Sequence, residues 1–145
     1  VTRLVSHQEI LRNTIPFDYP VVRGIYFLLA QRQIVYVGQS INCHNRVRMH
    51  LADKDFDSYA VLPATPTDDL NTLEALYILR FRPGYNLALP TTLLLISAYS
   101  LKRKKVSRFL LRKLTDDGVL EPVVFQGVTY YWRAEIEDAV ERGLL

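Results

Sequence analysis

The sequence predicts a mixed α/β fold of the α+β kind: a small sheet of about three strands flanked by helices, then a helical region that carries a β-hairpin. Three observations lead there. Two apolar runs, "GIYFLLA" and "IVYVGQ", are separated only by Gln31, Arg32 and Gln33, which is a hairpin pattern. A helical pattern, a third strand and a second helical pattern follow before Pro83. Past Pro90 the order becomes helix, basic helix, hairpin, helix, so two units are expected, residues 1–90 and 91–145.

Each element has a local reason. Ser6 and Glu9 stand at capping-box spacing, with Val5 and Ile10 placed as a hydrophobic staple, so a short helix starts at Ser6 with His7 exposed on its first turn. Pro16 and Pro20 break helicity before the hairpin. Tyr26 and Tyr36 sit at equivalent depths from the hairpin turn and share a face if the register permits, and packing alone favours aromatic residues in strands. After Gly38, "SINCHNRVRMHLA" reads as a helix capped by Ser40 or Asn42. At about 100° per residue, Cys43, Val47 and Leu51 form its apolar stripe, Arg46 and His50 flank it, and Arg48 points away. "FDSYAVLPATP" reads as the third strand. "DDLNTLEALYILRFRP" reads as a helix begun at Asp68 or Asp69 and stopped before Pro83.

In the second unit "LPTTLLLISAYS" opens a helical region. The next helix, in "KKVSRFLLRKLTDDGVL", has Phe109, Leu110 and Leu114 as its apolar positions and ends at Gly118. "PVVFQGVTYYW" is a hairpin turning at Gln126-Gly127, and "RAEIEDAVERG" a final amphipathic helix. This is the order of a winged helix-turn-helix, although the stretch before Val106 is short for the usual first two helices. The alternative is a helical lid packed on the first unit.

Composition narrows the function classes. The 145 residues have ordinary globular composition, and the single cysteine, Cys43, excludes both an internal disulfide framework and a zinc site built on several thiolates. No stretch approaches the roughly 20 apolar residues of a membrane span, so a soluble protein in a reducing, cytoplasmic setting is expected, nucleoid-associated or phage-encoded contexts included. The net charge is only +3, but Lys102, Arg103, Lys104, Lys105, Arg108, Arg112 and Lys113 fall in one stretch without an acid. With Ser107 at the start of the helix, they form the expected contact surface for a phosphate backbone. A solvated charged face is the bland alternative.

Glu74 is the most informative single residue. It projects near the middle of the stripe formed by Leu70, Leu73, Tyr77, Ile78 and Phe81, where an ionised carboxylate costs several kcal/mol unless a cation meets it. That cation is either an arginine, with Arg46 the evident partner, or a metal. Cys43 and His44, adjacent on a helix, point about 100° apart and form no dyad, so Cys43 is expected in the core.

Five stretches then follow one another in the order and spacing of the GIY-YIG nuclease domain. They are "GIY" (Gly24, Ile25, Tyr26), "YVG" (Tyr36, Val37, Gly38), "NCHNRVRMH" with Arg46 and His50, "LEALYILRFRP" with Glu74, and "GYN" ending in Asn86. Residues 22–88 resemble that family. Val37, Ser40 and Cys43 stand where isoleucine, threonine and leucine are usual, and none of the three replaces a reacting group. The resemblance implies a divalent-metal-dependent DNA endonuclease of homing, restriction or repair type. Glu74 would hold one Mg²⁺ or Mn²⁺ per site, Arg46 and Tyr36 the scissile phosphate, and Tyr26 would be the base. A phenol whose pKa is normally near 10 is a poor base at neutral pH unless cations favour the phenolate, a shift expected from Arg46, the metal and His50. His50 is a proton relay or a phosphate contact, and Asn86 orients the site. The partner would be double-stranded or branched DNA, with no membrane and with homo-oligomerisation left open. The alternatives are a DNA-binding regulator that does not cut, an RNA- or structure-specific nuclease, and a purely structural interaction domain.

Overall fold

Gln31 and Arg32 both take left-handed backbone conformations, φ 49° and 66°, which is what a two-residue turn between right-twisted strands requires. They join β1 (Gly24–Ala30) to β2 (Gln33–Ser40) in antiparallel register, with Tyr26 opposite Gly38 and Leu28 opposite Tyr36. A bulge between Leu28 and Leu29 shifts the pairing so that Leu29 faces Ile34. β3 (Ser58–Pro63) adds antiparallel to the other side of β1, giving the order β2-β1-β3. The computed structural model describes residues 4–13 and 20–145, so the expected break at Pro16 lies outside the described residues.

Helices cover both faces of this sheet. α1 (His7–Arg12) begins as expected at Ser6, whose side chain accepts from the Glu9 amide. Val5 and Ile10 remain exposed, too open for the anticipated staple. α2 (Cys43–Met49), capped by Asn42, packs Cys43 and Val47 against Tyr26 and Leu28. It then tightens into a 3₁₀ turn, His50–Ala52. That turn overrides the expected stripe. With three residues per turn the buried row passes from Val47 to His50, and Leu51 is left 66% exposed.

α3 (Leu70–Phe81) starts at its cap Asp69 and is stopped by Arg82, left-handed at φ 45°, just before Pro83. It covers the opposite face, where Leu70 and Ile78 pack with Ile25 and Val37. Its buried row runs through Leu70, Ala75 and Ile78. Leu73 and Tyr77 are only half-buried and Phe81 is exposed, so the predicted stripe was placed slightly off the true one.

A second three-stranded antiparallel sheet follows, order β4-β6-β5. The stretch "LPTTLLLISAYS", expected to open a helical region, instead places Leu95–Ser97 in β4, because Leu95 and Ile96 pair with Trp132 and Tyr131 of β6 (Val128–Trp132). α4 (Ala98–Arg103) and α5 (Arg108–Asp116) are capped by Ser97 and Ser107. β5 (Val123–Phe125) reaches β6 through Gln126 and Gly127, both left-handed, and α6 (Arg133–Glu141) closes the chain. The core here is Ile96, Leu101, Leu111, Leu114, Leu120, Tyr131, Ile136 and Ala139. Leu111 and Leu114 carry the inner side of α5, and Phe109, expected inside, is 75% exposed.

The β5–β6 hairpin ties the second sheet to the first. Phe125 is buried among Ile25, Val37 and Ile78, Arg82 donates to the Val124 carbonyl (2.9 Å), and Gln126 donates to the Asn86 carbonyl (3.1 Å). No described helix is long and apolar enough to cross a membrane.

A Cβ on Gly38 would overlap the Tyr26 ring, and that ring is buried and hydrogen-bonded, so it cannot move aside cheaply. Gly38→Ala is therefore expected to destabilise the fold by about 1–3 kcal/mol, as overpacking does. Gly84→Ala, where an added Cβ meets nothing within 4 Å, should change the denaturation midpoint little. Equal midpoints for the two variants would refute the close packing at Gly38.

Candidate active site

Opposed residues in an antiparallel pair point to one face, so the register puts Tyr26 and Tyr36 together. Their rings lie 6.1 Å apart and tilted. The 3₁₀ turn after α2 lowers His50 onto both. Its Nε2 is 2.7 Å from the Tyr26 Oη, and its ring centroid is 4.9 Å from that of Tyr36. Tyr26 is 1% exposed and His50 5%, while Tyr36 is half-buried and Arg46 stands outside on the same helix. The cluster thus has a dry floor and an open, cationic rim.

The electrostatics partly overturn the expectation for Tyr26. Burial pushes its phenol well above the normal value, the neighbouring Tyr36 adds to this, and Arg46 pulls only partway back. Burial outweighs the cation because solvent that would stabilise a phenolate is excluded. The same effect lowers His50, first through burial and then through the positive charges of Lys54 and Arg46, with Asp53 opposing. The imidazole is therefore neutral at pH 7.

Two residues of this cluster were not singled out in the sequence. Lys54 places Nζ 3.2 Å from the His50 Nδ1 and 4.8 Å from the Tyr36 ring centroid, and donates to Asp53 Oδ2 at 3.1 Å. Tyr85, just before Asn86, accepts the Asp55 amide at 3.2 Å and so joins the two loops beside the site. The clue to Lys54 was its spacing of four from His50, the distance at which helical neighbours meet.

Asn86 is 4% exposed and does what an edge strand's partner would do. Its Oδ1 accepts from the Val37 amide and its Nδ2 donates to the Val37 carbonyl, both at 2.9 Å. The amide therefore satisfies the outer backbone groups of β2 between Tyr36 and Gly38.

Glu74 lies on the other side of that strand. Gln39, three residues beyond Tyr36, points to the α3 face, where its Nε2 donates to the Glu74 Oε2 at 2.7 Å and also contacts the Asn71 Oδ1. Among the described residues no lysine or arginine pairs with Glu74, so of the two alternatives the ion pair with Arg46 is not formed, and an amide stands beside the carboxyl. Burial raises the carboxyl pKa and the Gln39 hydrogen bond only partly offsets it. A desolvated carboxylate without a countercharge is chemically suited to a hard cation that keeps most of its water, and such ions need only one or two carboxylates. No cluster of three or more metal-ligating side chains occurs among the described residues.

Other candidates fall away. Cys43 is wholly buried and its thiol is pushed up by burial, and His44 pairs with the Tyr59 hydroxyl at 2.9 Å. All eight residues of the basic run that the sequence singled out are exposed. Lys102 and Arg103 end α4, Lys104 and Lys105 form the turn, Ser107 caps α5, and Arg108, Arg112 and Lys113 line its outside. With Tyr99 and Phe109, three of them (Lys102, Arg108, Arg112) border a cleft of about 610 Å³.

The lowered pKa of His50 makes a stability prediction. As pH falls below about 6.5 the unfolded chain's histidine takes up a proton that the folded one resists, so this contribution is complete above about pH 6.5 and shrinks towards the folded value. The thermal midpoint should drop between about pH 7.5 and pH 5.5, and by less in His50→Gln, since that variant keeps every other titrating group. Identical pH dependence in the two proteins would contradict the buried, neutral imidazole.

No protein-family model matches the chain, and no curated relative matches it. Among solved structures it is similar to the GIY-YIG N-terminal endonuclease domain of UvrC from Thermotoga maritima. Two point mutants of that domain bound to their catalytic divalent cation match at 23% and 22% identity, each over 48% of this chain and 87% of the other, with TM-score 0.41. The magnesium-bound domain matches at 24% identity over 46% and 85%, with TM-score 0.40. At such low scores the likeness carries no argument about activity, so the functional reading rests on this chain's own residues.

Proposed function

We propose that the chain is a divalent-metal-dependent DNA endonuclease, with the phosphodiester bound at the rim of β2. One observation carries this: the tyrosines of the "GIY" and "YVG" motifs meet His50 on one face, under an exposed Arg46, in the positions that the motif resemblance requires. A pair of tyrosines serving only the core would need neither the buried imidazole nor the open cationic rim.

Hydrolysis needs a deprotonated water, relief of charge on the nonbridging oxygens, and a stabilised leaving 3′ oxygen. Arg46, with its planar fork of donors, and Tyr36 hold the phosphate. Tyr26, in the phenolate form that Arg46 favours against burial, accepts a proton from the attacking water, while the leaving oxygen is protonated from solvent. Glu74 would hold Mg²⁺ or Mn²⁺, which when bound supplies positive charge beside the leaving oxygen. His50 hydrogen-bonds the Tyr26 phenol, and Asn86 keeps β2 straight beneath the phosphate.

The second unit, residues 91–145, serves as the grip in this proposal. Its β4-α4-α5-β5-β6 succession supports a winged-helix-like reading, with α5 presenting Ser107, Arg108, Arg112 and Lys113 to duplex or branched DNA. The aromatic and cationic lining of the α4–α5 cleft favours nucleic acid over a solvated charged face.

Supercoiled plasmid and branched, single-stranded and linear DNA, each with Mg²⁺ or EDTA, test the activity. Cleavage should require the metal. Glu74→Ala should abolish it while leaving binding and the circular dichroism spectrum intact, and Tyr26→Phe should slow it by roughly 10²–10⁴. Wild-type rates in both variants would overturn the assignment. Replacing Lys104, Lys105, Arg108 and Arg112 with alanine should weaken binding. It should also flatten log affinity against log salt by about 2–4 units, since each neutralised phosphate contributes about 0.9. An unchanged slope would remove the second unit from the DNA interface.

A further inference from the structure

Lys54 reaches into the cluster from outside the motifs. Its ammonium group carries three donors and no acceptor, and it lies 3.2 Å from the His50 Nδ1. A proton on Nδ1 would point at that positive charge. Among the described residues the carboxylate near Nδ1 is Asp53, whose Oδ1 is 3.7 Å away, longer than an ordinary hydrogen bond, and whose Oδ2 is engaged by Lys54. Lys54 is itself held in place, half-buried over the Tyr36 ring at 4.8 Å from its centroid and 6.0 Å from that of Tyr85.

We propose that Lys54 is a positioning residue that fixes His50 as its Nε2–H tautomer, so that the imidazole donates to the Tyr26 phenol oxygen instead of accepting from it. The tautomer of a histidine is set by the bond at its other nitrogen, and Lys54 occupies that position. With the proton on Nε2, the 2.7 Å contact leaves the Tyr26 hydroxyl hydrogen to turn away from His50, towards its other neighbour Tyr36. Once Tyr26 ionises, the same Nε2–H remains as a donor to the phenolate. The opposite tautomer would tie the phenol's proton to Nε2 and remove that donor. Among the described residues the charged and titratable groups around the imidazole are Tyr26, Tyr36, Arg46, Asp53 and Lys54, and at Nδ1 the Lys54 contact of 3.2 Å is shorter than the 3.7 Å to Asp53. This assignment gives His50 a role apart from the two the sequence left open, proton relay and phosphate contact: it is a donor to Tyr26. Its catalytic consequence rests on the nuclease reading, but the tautomer does not.

Long-range ¹H–¹⁵N correlation spectra of the full chain, with the His50 signals identified by their loss in His50→Gln, report which ring nitrogen carries the proton. The wild type should show protonated Nε2 near about pH 7.5, Lys54→Arg should keep that pattern, and Lys54→Met should shift population to Nδ1–H. In a cleavage assay Lys54→Met should lower kcat at least about tenfold with KM for DNA little changed, and Lys54→Arg should recover part of it. Protonated Nδ1 in the wild type, or an unchanged tautomer in Lys54→Met, would overturn the proposal whatever the rates. If the wild type shows Nε2–H but cuts no DNA, the nuclease reading fails and the tautomer assignment stands.

Discussion

The missing side chain at Gly38 is the constraint on which the candidate site depends. In the antiparallel pairing Tyr26 is directly opposite Gly38, and the ring lies over the strand in the space a Cβ would occupy. That posture carries the phenol oxygen past β2 to the His50 imidazole, and His50 meets it there only because α2 tightens into a 3₁₀ turn. A similar economy operates at Gly24, where an added Cβ would overlap the Leu62 carbonyl of β3. The two glycines thus admit close approach on either side of β1, and each lies two residues from Tyr26 in sequence or opposite it in register.

β2 is also where the two halves of the site come together. Its α2 face carries Tyr36 and its α3 face Gln39, which links to Glu74. As an edge strand of a sheet ordered β2-β1-β3 it exposes its outer backbone groups, and Asn86 satisfies those of Val37 with both ends of one amide. The phenol–imidazole cluster and the carboxylate are therefore not in direct contact but border one strand. A phosphodiester lying across that rim would meet Arg46 and Tyr36 on one side and Glu74 on the other. The raised carboxyl pKa of Glu74 and the raised phenol pKa of Tyr26 have the same leading cause, exclusion of water.

Local chemistry made most of the fold legible in the sequence. The Ser6, Asp69 and Ser107 caps, the left-handed Gly118, and the Gln126-Gly127 turn all act within a few residues, and the chain follows each of them. Where long-range packing decided, the periodicity misled. Leu51 is turned out by the 3₁₀ turn, Phe109 lies on the outer side of α5, and Leu95–Ser97 join a strand whose partner, β6, is more than thirty residues away. The site was legible as residue identities in motif order, since Tyr26, Tyr36 and His50 do converge. Its electrostatics were not, because Gln39 in place of an arginine beside Glu74, and Lys54 beside His50, depend on which side chains the folded chain brings within reach.

The second sheet does not stand apart from the first, since Phe125 of its hairpin completes the core beneath α3 and Gln126 holds the Asn86 carbonyl. The residue that straightens β2 is thereby connected to the hairpin that follows α5. The measurement that tests the account most directly is anomalous diffraction from crystals of the chain grown with a DNA duplex and Mn²⁺. The account predicts a manganese ion on the Glu74 carboxylate, and a phosphate at the rim of β2 within reach of Arg46 and Tyr36. Manganese bound elsewhere, or DNA held only by α4 and α5 with the β2 rim empty, would contradict it.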